Sequence, residues 1–152
     1  MRAVIQRVKH AKVTIEGKIS GEIEKGFLIL LGVSPEDTKE DALYLARKCV
    51  GLRVFEDENG KMNRELADVG GKILAVSQFT LYADCRKGKR PNFIGAAKGE
   101  QANELYEYFV DCCRSLGIET QTGRFGADMK VDLCNDGPVT ILMDTAEMMH
   151  KK

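Results

Sequence analysis

The stretch Phe27-Leu28-Ile29-Leu30-Leu31-Gly32-Val33 is apolar on both of its alternating faces. A strand with one wet side alternates apolar and polar residues, whereas one without a polar side must be covered above and below. The segment is therefore expected to be a central buried strand. After it, Ser34-Pro35-Glu36-Asp37 is expected to open a helix, with Ala42, Leu43, Leu45, Ala46, Cys49 and Val50 as its inward stripe. Before it, residues 4–8 and 13–23 read as strands. In the second, Val13 and Ile15 alternate with Thr14 and Glu16, and Gly17-Lys18 marks a hairpin.

Further along, Arg53-Val54-Phe55 returns as a strand and Asp57-Glu58-Asn59-Gly60-Lys61 is a turn. Gly70-Gly71 precedes a strand over 72–82. Residues 84–97 contain Gly88, Pro91 and Gly95 without periodicity and read as a functional loop. A second helix over about 98–116 turns Ala102, Leu105, Tyr106, Phe109, Cys112 and Cys113 inward and stops at Gly117. Two last strands, about 128–133 and 139–144, are joined by Asn135-Asp136-Gly137, and residues 145–152 read as a loose tail. There is no repeat, linker or low-complexity tract, so the reading is one α+β domain over 1–152.

Composition narrows the class. The chain has 152 residues, 43% of them hydrophobic, enough for a single real core. Its longest apolar run, 27–31, cannot span a bilayer, and charge returns at Arg7 and Lys9 before a secretory core could form. The five cysteines lack a C-x-x-C pair, which fits reduced thiols in a cytoplasmic protein with no membrane partner. Charges balance at 23 against 23, against a generic polyanion binder. The local exception is Arg86-Lys87-Gly88-Lys89-Arg90, with Lys98 beyond. It is either a solvated loop or a small phosphate contact beside a site.

Several chemistries drop out. The two histidines, His10 and His150, are far apart and lack ligands at metal spacing; no metal and no cofactor is expected, and a histidine-based triad is as weak. Neither G-x-x-x-x-G-K-[ST] nor G-x-G-x-x-G occurs. What remains is Ser77-Gln78-Phe79-Thr80-Leu81, closing an apolar run, and Asn135-Asp136-Gly137-Pro138-Val139-Thr140, leading into a strand. By alternation Ser77 and Phe79 share one face of a strand, Gln78 and Thr80 the other. A hydroxyl there has a bland reading, β-propensity with a satisfied hydrogen bond, and a nucleophile would lack an evident base. Chemistry on this scaffold would rest on positioning and on N–H donors at a developing oxyanion. Gly137-Pro138 is the candidate cis peptide, since X-Pro bonds carry only a small trans preference. The carbonyls beside it could receive an ammonium group.

Along its length the chain resembles the D-aminoacyl-tRNA deacylases, proofreading hydrolases that free tRNA from D-amino acids. The likeness runs from Gln6-Arg7-Val8 through Gly21-Glu22-Ile23, Gly60-Lys61-Met62-Asn63 and Thr122-Gly123-Arg124-Phe125 to Gly137-Pro138-Val139-Thr140. The two signatures, Ser-Gln-Phe-Thr-Leu and Gly-Pro-Val-Thr, stand intact; the tail beyond Asp144 finds no match.

The resemblance implies two curled, mostly antiparallel sheets in a barrel-like layer flanked by two main helices, and a homodimer with active sites at the subunit interface. It implies a cis Gly137-Pro138 bond inserted into the other protomer's site. There the two carbonyls hold the substrate's α-ammonium and leave no room for an L side chain, so that glycine is not fully rejected. The acceptor end of aminoacyl-tRNA is the implied partner. N–H groups around Phe79 and Thr80 would serve the oxyanion, and Ser77 and Gln78 would shape the pocket. The substrate's ribose hydroxyl would assist water, with Thr80 as an alternative nucleophile. Ala102 and Met129 would line the adenosine or aminoacyl pocket, and Arg7 would brace the Gly-Pro loop of its own subunit. Arg86, Lys87, Lys89 and Arg90 would contact tRNA phosphates. The competing classes are a non-catalytic dimeric binding protein and a general small-ester hydrolase.

Overall fold

A computed structural model of the chain describes residues 1–149. Its strands are β1 (Arg2–Ile15), β2 (Lys18–Ile23), β3 (Gly26–Gly32), β4 (Phe55–Glu56), β5 (Met62–Arg64), β6 (Lys72–Ser77), β7 (Thr120–Thr122) and β8 (Lys130–Asp144). Its helices are α1 (Lys39–Val50), α2 (Leu66–Val69), α3 (Gly99–Ser115) and α4 (Thr145–Met148), with one 3-10 turn at Phe79–Tyr82. The α+β class is as expected: a six-stranded sheet in the order β2-β1-β3-β6-β7, with β8 also on β1, and a separate two-stranded sheet of β4 and β5.

β3 is the buried centre that its sequence requires. Only Leu30 is partly exposed along it. It pairs antiparallel with β1 on one edge and parallel with β6 on the other. Phe27, Ile29 and Leu31 point into a core closed by Leu45 of α1 and Phe109 of α3, while Leu28 faces a second cluster with Val8, Val13, Leu74 and Val76. The two faces of one strand thus serve two cores, which is why it carries no polar residue.

β1 departs from the sequence reading. Instead of two strands, one 14-residue strand runs through the exposed Lys9 and His10. Its first half pairs β3, its second half pairs β2, and β8 runs along nearly its whole length on the other edge. The hairpin to β2 turns on Glu16 and Gly17, both at positive φ (50° and 77°), the two-residue geometry that matches strand twist. The sheet then curls until its ends meet: Ser20 Oγ donates to the Thr122 carbonyl of β7 at 3.2 Å. Next to it Gly21 lies so close to β7 that a Cβ would sit 2.5 Å from that same oxygen. A nearly closed barrel results.

Other boundaries moved for identifiable reasons. Residues 34–37 form a turn, Asp37 N–H donating to Ser34 O at 3.1 Å, and α1 starts after Thr38, whose N–H is capped by Asp41 at 3.0 Å. The strand expected over 72–82 ends at Ser77. Gln78 N–H still reaches Leu31 O at 2.8 Å, but β3 stops at Gly32 and offers no further edge. Residues 128–144 are not two strands about a turn. β8 is one strand of 15 residues, and the expected turn is a bulge: Asn135 faces Val8 and Thr140 faces Gln6, so residues 136–139 loop out of the ladder.

The loose tail is also corrected for residues 145–149. Thr145 is buried, and its Oγ1 accepts from the Met1 ammonium at 2.8 Å and donates to Asp41 Oδ1 at 2.7 Å. Asp37 Oδ1 takes a further proton of that ammonium at 2.8 Å, so a buried charge finds both a counter-ion and hydrogen bonds. Residues 150–152, His150 among them, lie outside the described residues.

The seam between β2 and β7 generates a stability prediction. Gly21→Val forces branched bulk against the Thr122 carbonyl and against Leu74 Cδ1, 3.0 Å from the position of a Cβ. Thermal or urea unfolding should show a loss of about 1–3 kcal/mol. Wild-type stability in that variant would mean the barrel is not closed at this seam.

Candidate active site

β6 delivers Ser77 to the edge of the barrel, and the chain coils directly after it. Gln78 is extended (φ −145°, ψ 95°) and Phe79–Tyr82 form the 3-10 turn. Leu81 N–H donates to Gln78 O at 3.3 Å and Ala83 N–H to Thr80 O at 3.0 Å. The first N–H groups of such a turn have no partner within it. Among the described residues no backbone acceptor faces Phe79 or Thr80 N–H, and both residues are exposed. The alternation expected for 77–80 is therefore overturned: beyond Ser77 there is no strand face to share. Gln78 Nε2 instead donates to Thr80 Oγ1 at 2.9 Å.

This turn forms one wall of a cavity of about 520 Å³. Ala97, Gly99 and Ala102 supply a second wall at the start of α3, and Phe125, Gly126, Ala127 and Met129 a third, between β7 and β8. Behind it Tyr106 ties α3 to β6 by donating to Ala75 O at 2.7 Å, and burial pushes that phenol up to about 12, so it stays a neutral donor. Ser77, Gln78, Phe79, Thr80, Ala102 and Met129 thus share one space. Among the described residues no acidic, basic or thiol side chain lines it, and the polar side chains that do are Ser77, Gln78 and Thr80. Phe125, Gly126 and Ala127 escaped sequence reasoning, because a small-residue loop shows no periodicity.

Gly137, Pro138 and Arg7 do not line that cavity. They form a second constellation at the β8 bulge. The Gly137-Pro138 bond is cis, and both residues are exposed. Arg7, only 7% exposed, donates from Nε to Asp136 O at 2.8 Å and from Nη1 to Val54 O at 2.6 Å. Asn135 closes the base of the bulge: its Oδ1 accepts from Val139 N–H at 2.7 Å, and its Nδ2 donates to Val139 O at 3.2 Å and to Thr140 Oγ1 at 3.1 Å. Gly137 sits at φ 144°, and a Cβ there would lie 2.8 Å from Val139 Cγ2, so the position requires glycine. The bulge is a braced projection. The Asn135 clamp was missed from sequence, though an amide two residues before Gly-Pro is a turn-closing signal.

The basic loop stands apart from both. A backbone pair between Asp84 and Asn92 (2.8 and 3.0 Å) closes its base. Arg86 is committed to Asp84 through Nε (2.9 Å) and Nη2 (2.8 Å), and this side-chain contact holds the Asp84 carboxyl down at about 2. Lys87, Lys89 and Arg90 are exposed and form no ion pair among the described residues. Of the four cations expected at tRNA phosphates, Arg86 is the one with an ion pair among the described residues. His10 is exposed on β1 opposite Cys134, and no group of three His, Cys, Asp or Glu among the described residues is placed to hold a metal ion.

The chain is similar to known proteins along nearly its whole length. Residues 4–144 match the family model of D-Tyr-tRNA(Tyr) deacylase. A D-aminoacyl-tRNA deacylase of Desulfatibacillum aliphaticivorans is 61% identical over 145 residues, covering 95% of this chain and 99% of its own length. Among solved structures, one named c-Myc DNA Unwinding Element Binding Protein superposes with TM-score 0.89 at 43% identity, over 95% of this chain and 98% of that one. A probable eukaryotic D-amino acid tRNA deacylase superposes with TM-score 0.78 at 15% identity, over 93% and 97%, a likeness of fold. The match spans both the cavity and the braced bulge, and the chain belongs to the D-Tyr-tRNA(Tyr) deacylase family.

Proposed function

We propose that this chain is a cytoplasmic D-aminoacyl-tRNA deacylase, hydrolysing the ester that joins a D-amino acid to the terminal ribose of tRNA. The observation that carries the reading is a cavity that, among the described residues, has unpartnered N–H groups at its rim and no ionisable side chain in its lining. A site without acid or base suits an acyl group that is already activated, as an aminoacyl ester of ribose is. Water adds to the ester carbon, and the oxygen that gains charge is held by the N–H groups of Phe79 and Thr80. The neighbouring ribose hydroxyl positions that water and relays its proton to the departing ribose oxygen. Thr80 Oγ1 accepts a hydrogen bond from Gln78 and has no base in the cavity lining, which disfavours it as a nucleophile.

Chirality is read by a second copy of the chain. Gly137 and Pro138 are exposed and braced by Arg7 and Asn135, yet they lie outside their own chain's cavity. Inserted into the partner's cavity, their carbonyls take the α-ammonium, and the backbone itself fills the space of an L side chain. Glycyl-tRNA, with no side chain to exclude, is then also a substrate. Leu142, four residues beyond Pro138 on the same strand, is 76% exposed, as a residue covered by a second copy would be in an isolated chain. Lys87, Lys89 and Arg90 hold phosphates of the acceptor end, and Arg86 keeps the loop in shape. Binding of nucleic acid without turnover, which the name of one solved relative brings to mind, is disfavoured by the balanced charge of 23 against 23.

The direct test is deacylation of matched D- and L-tyrosyl-tRNA: the D-ester is hydrolysed and the L-ester is not. Hydrolysis of neither would end the enzymatic reading; equal hydrolysis of both would end the chiral one. In the same assay Thr80→Ala should remain within about tenfold of wild type, whereas loss of an oxyanion donor costs about 10²–10³. Isolation of an acyl-Thr80 adduct would falsify this. Replacing Lys87, Lys89 and Arg90 by Gln should weaken tRNA binding and reduce the dependence of log affinity on log salt by about one for each lost phosphate contact. An unaltered salt slope would remove the loop from the interface.

A further inference from the structure

From the cavity wall an apolar surface extends outward past the reacting groups. Phe79, which lines the cavity, is 55% exposed and meets Phe93 edge-on, with ring centroids 5.0 Å apart and planes at 72°. Phe93 is 36% exposed, and Ile94 after it is 86% exposed, an extreme value for a large aliphatic side chain. The segment is held in place: Asn92 pairs with Asp84, Ile94 N–H donates to Asn92 Oδ1 at 3.3 Å, and Ala96 N–H to Phe93 O at 3.0 Å. The same loop carries Lys87, Lys89 and Arg90 on the far side of the Asp84-Asn92 pair. Aromatic and aliphatic exposure next to unpaired cations is the composition of a single-stranded nucleic-acid platform, in which cations follow the phosphates and apolar faces take the bases.

We propose that Phe93 and Ile94, beside Phe79, form a ledge on which the unpaired base next to the terminal adenosine of the RNA stacks as it leaves the cavity. The inference rests on the deacylase reading and adds a second binding element to it. The cavity takes the aminoacyl-adenosine, the ledge takes the next base, and Lys87, Lys89 and Arg90 take the phosphates beyond. Stacking on an apolar face uses the π surface that every base possesses, so the ledge recognises a single-stranded end without reading its sequence. It separates an RNA-linked ester from the same ester on a lone nucleoside.

The experiment compares kcat/KM for D-tyrosyl ester on a short acceptor-stem RNA with that for D-tyrosyl-adenosine. The ratio of the two should fall about ten- to hundredfold in Phe93→Ala and in Ile94→Ser, with the loss in KM. Ile94 is so exposed that its substitution does not endanger the fold. An RNA with an abasic site at the nucleotide next to the terminal adenosine should be as poor a substrate for wild type as the normal RNA is for Phe93→Ala, and the two lesions together should add little. An unchanged ratio in both variants, or an abasic RNA that performs normally, overturns the ledge while leaving the deacylase reading intact. Conversion of the Ile94→Ser protein to monomers in sedimentation would show that a second copy covers the surface, and would also overturn it. Wild-type failure on both esters would remove the deacylase reading itself.

Discussion

The ladder of hydrogen bonds between β1 and β8 is the constraint from which the arrangement follows. β8 pairs β1 from Arg2↔Asp144 to Thr14↔Lys130, yet across Gln6 and Val8 it uses the residues from Asn135 to Thr140. A uniform register would bury or expose entire faces of both strands differently, so the surplus residues must leave the sheet at that one point. They leave it as the Gly137-Pro138 bulge. Arg7, opposite the gap, turns its guanidinium to the Asp136 carbonyl of the bulge and to the Val54 carbonyl just before β4. At the end of the same ladder Met1 and Thr145 are joined, which fixes the strand ends as well as the bulge between them.

The chemistry inherits this economy. The cavity opens where β6 runs out of neighbour and its chain coils, leaving N–H groups turned outward; the oxyanion role proposed for such groups would need rigidity more than reactivity, because a fixed dipole costs no reorganisation when charge develops. Rigidity is supplied from behind by Tyr106 on Ala75 and by the closed seam at Ser20 and Thr122. The proposed recognition elements are equally indifferent to side-chain identity on the ligand: backbone carbonyls would take the ammonium, an apolar ledge a base, and cations the phosphates. Such a set suits a substrate class defined by handedness and by an RNA end.

What could be read in advance was what periodicity and burial dictate. The buried strand around residues 27–33 and the inward stripes of α1 and α3 are properties of spacing, and the structure follows them. The cavity residues Ser77, Gln78, Phe79, Thr80, Ala102 and Met129 were grouped by resemblance, not by spacing, and do stand together. The overextension of β6 came from Phe79-Thr80-Leu81-Tyr82, all good strand formers that lack an edge to pair with once β3 ends. The strands expected over 4–8 and 13–23 leave the polar Lys9 and His10 between them, but pairing of His10 with Cys134 of β8 carries β1 through. Asn135-Asp136-Gly137 has the chemistry of a turn between two strands, whereas in the structure the strand resumes in the same direction. Thr145 is anchored by a terminus 144 residues away, a contact with no local signal. β4, β5 and β7 are too short to show a period.

The cavity of one copy is held to be completed by the bulge of another, and mixing two inactive variants tests this most directly. Thr80→Trp would block the cavity, and Pro138→Asp would spoil the projecting bulge; both positions are exposed, so the fold should tolerate them. Each variant alone should be unable to deacylate D-tyrosyl-tRNA. Exchanged in equal amounts, they should recover about a quarter of wild-type turnover, because half of the two-fold dimers are then mixed and each of these has one intact site. A mixture that stays inactive although mixed dimers form would contradict the cross-subunit site, as would full activity and chiral selectivity in Pro138→Asp by itself.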